Sequence, residues 1–195
     1  VTAKLGLSTR TIRRFRYVAA LGDVLRKRLP TATASATRVY EKADAASVER
    51  LFAGGLRLPI HRTIARRDYD HRFLAPQARS FVFEIGGEVR GFAHALFLGV
   101  ADEGKRYRNA YFQDLELADL DAGQRRQFFG DTLRLLVNED CDLLFVPDIG
   151  YFPQDLWRQF SFRSAPRSLD LLLTPLATQA IGGLEKTTGF CLDVY

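Results

Sequence analysis

The 195-residue chain is 47% hydrophobic and 26% charged, with 28 Lys and Arg against 23 Asp and Glu, a formal net charge of +5; a chain of this size buries enough apolar surface to hold one core without disulfide or metal staples. Cys141 and Cys191 stand far apart without partner histidines, and His61, His71 and His94 lack the i, i+4 spacing of a helical zinc pair, which excludes a disulfide-rich scaffold and a Cys-based zinc ribbon and argues against any metal site. No apolar run reaches the roughly 20 residues of a membrane-spanning helix and no apolar signal core opens the chain, so a reducing cytoplasm is the expected location.

The basic excess gathers in Arg10, Arg13, Arg14, Arg16, Arg26, Lys27 and Arg28, a pattern that raises a nucleic-acid-binding arm, while elsewhere the charges nearly balance. Methionine is absent even at position 1, which points to a fragment of a longer gene product. Within residues 1–22, Thr11, Arg13, Phe15 and Tyr17 alternate with Ile12, Arg14, Arg16 and Val18, the pattern of a strand. Residues 23–37 end in a Thr, Ala and Ser stretch without period or bulk and read as a linker.

From residue 38 the pattern alternates between strand and helix. A short strand over 38–41 precedes a helix opened by Asp44, with Val48, Leu51 and Phe52 on one face and Gly54 and Gly55 as its stop. Ile60 to Leu74 reads as a second, basic helix ended by Pro76. Strands over 80–85 and 88–98 flank Gly86-Gly87, a two-residue hairpin turn. A strand over 110–117 follows, then a helix over 121–139 with Phe128, Leu133 and Leu136 in a broad apolar stripe. The run 142–147 reads as a buried strand, 152–160 as a short helix, and 168–174 and 191–195 as closing strands.

This order, together with Phe81-Val-Phe-Glu-Ile-Gly-Gly-Glu-Val-Arg-Gly-Phe-Ala93, resembles the GNAT superfamily of acyl-CoA-dependent N-acyltransferases over residues 38–176, the segment looking like the family's central hairpin with Gly91 at its usual glycine. A second match is Leu156-Trp157-Arg158-Gln159-Phe160-Ser161-Phe162, similar to the family's Leu-Tyr-x-x-x-Gly-Phe. The resemblance implies a mixed, mostly antiparallel sheet with helices on both faces. Lys4-Leu5-Gly6-Leu7 and the strand after it are similar to the same ending. That implies that residues 1–22 are the terminal strand of a preceding GNAT-like repeat, with 38–195 as a C-terminal GNAT-like domain of a tandem protein.

The family acylates an amine from acetyl-CoA or another acyl-CoA, so a pyrophosphate site, a base and an acid should be found. The pyrophosphate normally lies on exposed backbone N–H groups at a helix N-terminus, presented by Arg/Gln-x-x-Gly-x-Gly/Ala. Here Gln127 and Phe129 stand at the glycine positions and Gly130 falls one residue late. Asp121 and Gln124 have capping-box spacing, which uses donors a phosphate would need and places a carboxylate against it. Leu117, Arg125, Arg126 and Gly130 are the positions at which the resemblance would put a cofactor, the two arginines replacing the lost glycine loop unless they are solvated.

For the base, Glu116 and then Asp114 are the candidates, placed by strand alternation on one face with Phe112, although both also fit a carboxylate paired with an arginine or facing water. The tyrosine that serves as acid in the family is replaced by Trp157, leaving Tyr151 or water; His94 is either a base or a hydrogen-bonded core histidine. Arg57, Arg62, Arg66, Arg67 and Arg72 read as a basic surface. The expected function is therefore a GNAT-type N-acyltransferase in which this copy has lost ordinary cofactor binding. The expected partners are the preceding repeat and a small-molecule amine, with no metal and no membrane. The alternatives are an active acetyltransferase domain using Arg125 and Arg126, or a basic nucleic-acid-binding module.

Overall fold

The computed structural model describes residues 10–29, 35–55, 60–61, 64–148, 152–173 and 190–191. Strands β1 (Arg10–Leu21), β2 (Thr37–Val39), β4 (Ala78–Ile85), β5 (Glu88–Asp102), β6 (Lys105–Glu116), β7 (Leu143–Asp148) and β8 (Arg163–Leu173) form one seven-stranded sheet in the order β2-β4-β5-β6-β7-β1-β8. Every pairing is antiparallel except β6 with β7. Two short strands, β3 (Ile60–His61) and β9 (Phe190–Cys191), pair in parallel apart from it.

Alternation along the strands supplies two cores. Phe81, Phe83, Ala93, Ala95 and Phe97 face α1 (Gly22–Arg28), α4 (Ala122–Val137) and α5 (Gln154–Gln159), joined by Leu25, Phe128, Phe129, Leu133, Leu136 and Trp157. Val82, Val89 and Phe92 face the opposite way, toward α2 (Ala45–Gly55) and α3 (Tyr69–Phe73), with Val48, Leu51, Tyr69 and Phe73. Gly86 and Gly87 have φ of 59° and 80°, the left-handed pair that a two-residue hairpin needs, and Ile85 pairs with Glu88 as the sequence predicts. Gly91 has a packing cause: an added methyl would stand 3.0 Å from the Leu120 side chain and 3.1 Å from the Phe128 ring.

Several elements differ from the sequence expectation. Residues 10–21 form a strand as read, but an interior one, with β7 on one side and β8 on the other. Part of the expected linker is α1, which buries Leu25 and carries Asp23 in its first turn and Arg26, Lys27 and Arg28 in its last, charges that suit the helix dipole. The basic helix expected over 60–74 is instead β3, a 3-10 turn at Arg66–Asp68 and the five-residue α3. Only Tyr69 and Phe73, four apart, give that segment a buried helical face. The expected strand over 191–195 is described only at Cys191; the remainder lies outside the described residues.

Ion pairs tie the outer strands to the helices. Arg38 donates to both Asp44 oxygens, Nη1 and Nη2 each at 2.8 Å, and its Nε lies 2.9 Å from Glu84. Arg79 Nε sits 2.7 and 2.8 Å from the Glu139 carboxylate, which Arg108 also approaches. Burial pushes the Asp44 carboxyl up, but hydrogen bonds from Arg38 and the Glu41 backbone outweigh it and leave it below its ordinary value. The Arg79 hydrogen bond, against a smaller burial effect, holds Glu139 below its own.

Both carboxylates have lower pKa values folded than unfolded, so their contribution is complete above the unfolded values, about pH 4 to 4.5, and is lost as pH falls through the folded ones. Thermal melts should therefore show Tm dropping below about pH 4. Glu139→Gln should cost about 1 kcal/mol at neutral pH, since the pair is a third exposed and partly screened, and should flatten that acid limb. An unchanged acid limb in the variant would show that Glu139 does not contribute to it.

Candidate functional site

The sheet opens between β6 and β7. Their parallel pairing is limited to Asn109–Tyr111 against Leu143–Phe145, and beyond it Phe112–Glu116 and Val146–Asp148 diverge. A bulge at Gln113 shifts the β5–β6 register, so that Phe112 lies opposite Ala95 whereas Asp114 lies opposite His94 and Glu116 opposite Phe92. This corrects the strict alternation read from the sequence. Phe112 packs with Phe129 on the α4 side, while Asp114 and Glu116 point to the other face.

On that face both predicted carboxylates are buried, Asp114 at 0% and Glu116 at 5% exposure. Arg72, carried by α3, places Nη2 3.4 Å from Asp114 Oδ2. Arg72 had read as one of several solvated basic residues; the signal that could have found it is its place beside Phe73, which anchors α3 in the core. His94 is fully buried, its Nδ1 3.0 Å from Ser80 Oγ. Ser80 donates its single hydroxyl proton to the Phe73 carbonyl at 2.9 Å, so Nδ1 must be the protonated nitrogen donating to Ser80, which makes Nε2 the basic one.

Farther along the same face, the Tyr111 and Phe145 rings stack at 4.7 Å, and Tyr17 of β1 meets both edge-on at about 6 Å. Burial, and then Tyr111 nearby, push the Tyr17 phenol up to about 12, so it stays protonated at neutral pH. The face thus places Asp114 near Arg72 and opposite His94, with Glu116 two residues on and an aromatic floor beyond. Such a surface suits an amine or its ammonium form better than an anion.

The predicted cofactor positions do not gather in one place. Asp121 accepts from the Gln124 backbone N–H at 2.9 Å, and the Gln124 side chain accepts from the Asp121 N–H at 3.1 Å, the capping box expected at the start of α4. Arg125 is engaged by the backbone: its Nε donates to the Leu117 and Leu120 carbonyls at 3.1 and 2.7 Å, closing the loop that enters α4. Leu117 is buried in the α4-side core. Arg126 and Gly130 are brought together instead on the flank of α4, in a cleft of about 680 Å³ where Arg28, Arg134 and Phe160 join them. Arg28 and Arg134 carried no sequence signal for that position, because the placement of α1 against α4 creates it.

Trp157, at the family's tyrosine position, is buried against Phe129 and Phe152. Tyr151 lies outside the described residues. Among the described residues no three His, Cys, Asp or Glu side chains converge as metal ligands, and no helix is long and apolar enough to cross a membrane.

No family model matches the sequence, and no curated protein matches it. Solved structures do. N-myristoyltransferase of Saccharomyces cerevisiae with bound myristoyl-CoA is similar over 97% of this chain and 57% of its own, with a TM-score of 0.73 at 13% identity. A further structure of that enzyme with myristoyl-CoA gives 100% and 63%, a TM-score of 0.71 and 14% identity. A functionally unknown conserved protein of Staphylococcus epidermidis is similar over 88% of this chain and 64% of its own, at a TM-score of 0.57 and 7% identity. The chain therefore spans less than two thirds of the length of each of these proteins. The likeness shows the fold: this is a GNAT-like mixed sheet, mostly antiparallel, with helices on both faces.

Proposed function

We propose that this chain is one lobe of a GNAT-type acyl-CoA-dependent N-acyltransferase, a lobe that has given up ordinary cofactor binding and serves as structure or as a seat for the amine substrate. The observation that carries this reading is the closed entrance of α4. The capping box takes the donors a pyrophosphate would use, the Asp121 carboxylate opposes an anion, and Arg125 spends its guanidinium on backbone carbonyls. The likeness to an N-acyltransferase that binds an acyl-CoA and is longer than this chain supports placing the acyl donor in a companion lobe, which would be a preceding GNAT-like repeat of the same protein. Asp114 and Glu116, with the aromatic floor beside them, are the groups we assign to a small-molecule amine. The cytoplasm remains the compartment that suits such an enzyme.

One observation favours a second reading, an active domain with a non-standard site. The cleft beside α4 collects Arg28, Arg126 and Arg134, and an acyl-CoA could lie along that flank rather than at the helix end. The nucleic-acid reading has less support, since the basic cluster is divided between an interior strand, which carries Arg10, Arg13, Arg14 and Arg16, and the last turn of α1, which carries Arg26, Lys27 and Arg28. Calorimetry with acetyl-CoA and with myristoyl-CoA on the whole chain separates the first two. No heat of binding at about 1 mM ligand is the expected result, whereas a Kd of about 1 µM that is lost in Arg126→Ala would establish the flank site and sink the degenerate-lobe reading.

A further inference from the structure

Beyond the two carboxylates the same sheet face stays apolar and partly open. α2 and α3 cover its β4 and β5 part through Val82, Val89 and Phe92. Phe97, Ala110 and Leu144 point into the α4-side core, so by alternation Leu98, Asn109 and Leu143 point the other way. Strand register sets these three in one row with Leu21 of β1, and the neighbouring row is Leu96, Tyr111, Phe145 and Ala19. Leu98 is 39% exposed and Leu21 57%, so the apolar surface runs on where the helices no longer cover it. A continuous apolar patch of this kind marks a place where something binds.

Within it one atom is polar and unmatched. Asn109 is 4% exposed, and its Oδ1 accepts no hydrogen bond among the described residues. An unmet buried acceptor calls for an occupant that brings an N–H or O–H group, which a plain hydrocarbon acyl chain does not. Arginine is kept off this part of the face: the Arg108 guanidinium lies 4.2 Å from the Phe97 ring, on the other side of the sheet. Acidic side chains are absent from residues 96–100 and 107–111 and stand only at the inner end, as Asp114 and Glu116.

We infer that this open face seats the body of a long-chain amine. Its nitrogen lies toward Asp114 and Glu116, its hydrocarbon rests on Tyr111, Phe145 and the leucines, and a hydroxyl or N–H of the chain donates to Asn109. Charge complementarity sets the direction, since the acidic groups occupy one end alone, and aromatic rings accept an ammonium and its methylenes equally well. His94 and Leu98, the β5 partners of Asp114 and Asn109, are four residues apart, which puts about 13 Å between the acidic end and the Asn109 oxygen. The inference rests on the amine seat proposed above and names the class of amine that fills it.

Calorimetry on the whole chain tests this with butylamine, decylamine and decanol, below the concentration at which decylamine forms micelles. With one side of its longer chain resting on the face, decylamine should bind about fiftyfold more tightly than butylamine, and more tightly than decanol. Leu98→Asp and Leu21→Asp, at exposed positions that leave the fold intact, should remove most of that gain and leave butylamine unchanged. Decylamine carrying a terminal hydroxyl should match decylamine in the unsubstituted chain and fall about tenfold below it in Asn109→Leu, which replaces an unmet buried acceptor with an apolar group of similar size. Equal affinity for butylamine and decylamine would overturn the long-chain assignment and leave the amine seat standing. Decanol binding as well as decylamine would also overturn it, because the face would then not read the nitrogen. A hydroxyl penalty of the same size in both chains would overturn the role of Asn109. No binding of any amine would remove the amine seat and this inference with it.

Discussion

A chain lacking residues 1–21 will not fold cooperatively. β1 is an interior strand: Arg16–Leu21 pairs with β7 and Arg10–Ala19 with β8, so its loss leaves β8 without its ladder and β7 with an open edge. The loss also strips Val18 and Ala20, 7% and 5% exposed, from the larger core. α1, which packs Leu25 on that core and donates from Arg26 to the Val137 carbonyl at 2.8 Å, would lose its anchor as well. A domain of this size has about 5–15 kcal/mol of net stability, and an interior strand with two ladders exceeds what that margin tolerates. The expected far-UV circular dichroism melt of the truncated chain is broad, with no transition. Val18→Asp is the matching point change, placing a charge in the core at a cost of about 4 kcal/mol or more. A truncated chain that melts sharply near the full chain's Tm would show that the sheet closes without β1. For the same reason binding must be measured on the whole chain rather than on residues 38–195.

The elements that could be read from the sequence are those whose determinants are local. The Gly86-Gly87 turn sets the β4–β5 register through backbone conformation alone, and the alternation through Tyr17 announces a strand. What local pattern does not contain is which strands become neighbours, so β1 was legible as a strand but not as the one between β7 and β8. The β6 bulge was hidden for a related reason: Gln113 is no glycine, and nothing nearby marks the extra residue that separates Phe112 from the face of Asp114 and Glu116. α1 escaped because it is short, its N-cap Leu21 makes no side-chain cap, and one buried leucine gives no period. The capping box of α4 was legible because its two partners are three residues apart. The carbonyl grip of Arg125 was not, because it depends on how the loop from Leu117 to Leu120 turns back over the helix.

Of the two candidate carboxylates, Asp114 should prove to be one that holds the site together. Asp114 is fully buried with the Arg72 guanidinium 3.4 Å away, itself only 17% exposed. At 3.4 Å the contact is more a charge pair than a short hydrogen bond. Arg72→Ala should therefore cost about 3 kcal/mol, since it removes a cation that stands beside a fully buried carboxylate. Asp114→Asn should cost less, about 1–2 kcal/mol, because Arg72 keeps some access to water. In the double variant the second change should relieve part of the first, giving a coupling energy of about 1–2 kcal/mol in urea denaturation. Coupling near zero would mean that the two side chains act independently and that α3 is held by Tyr69 and Phe73 alone. Glu116 is 5% exposed as well, so Glu116→Gln should cost about 1–2 kcal/mol in the same urea denaturation, and a loss of amine binding in that variant counts for the site only where its melt shows the sheet still folded.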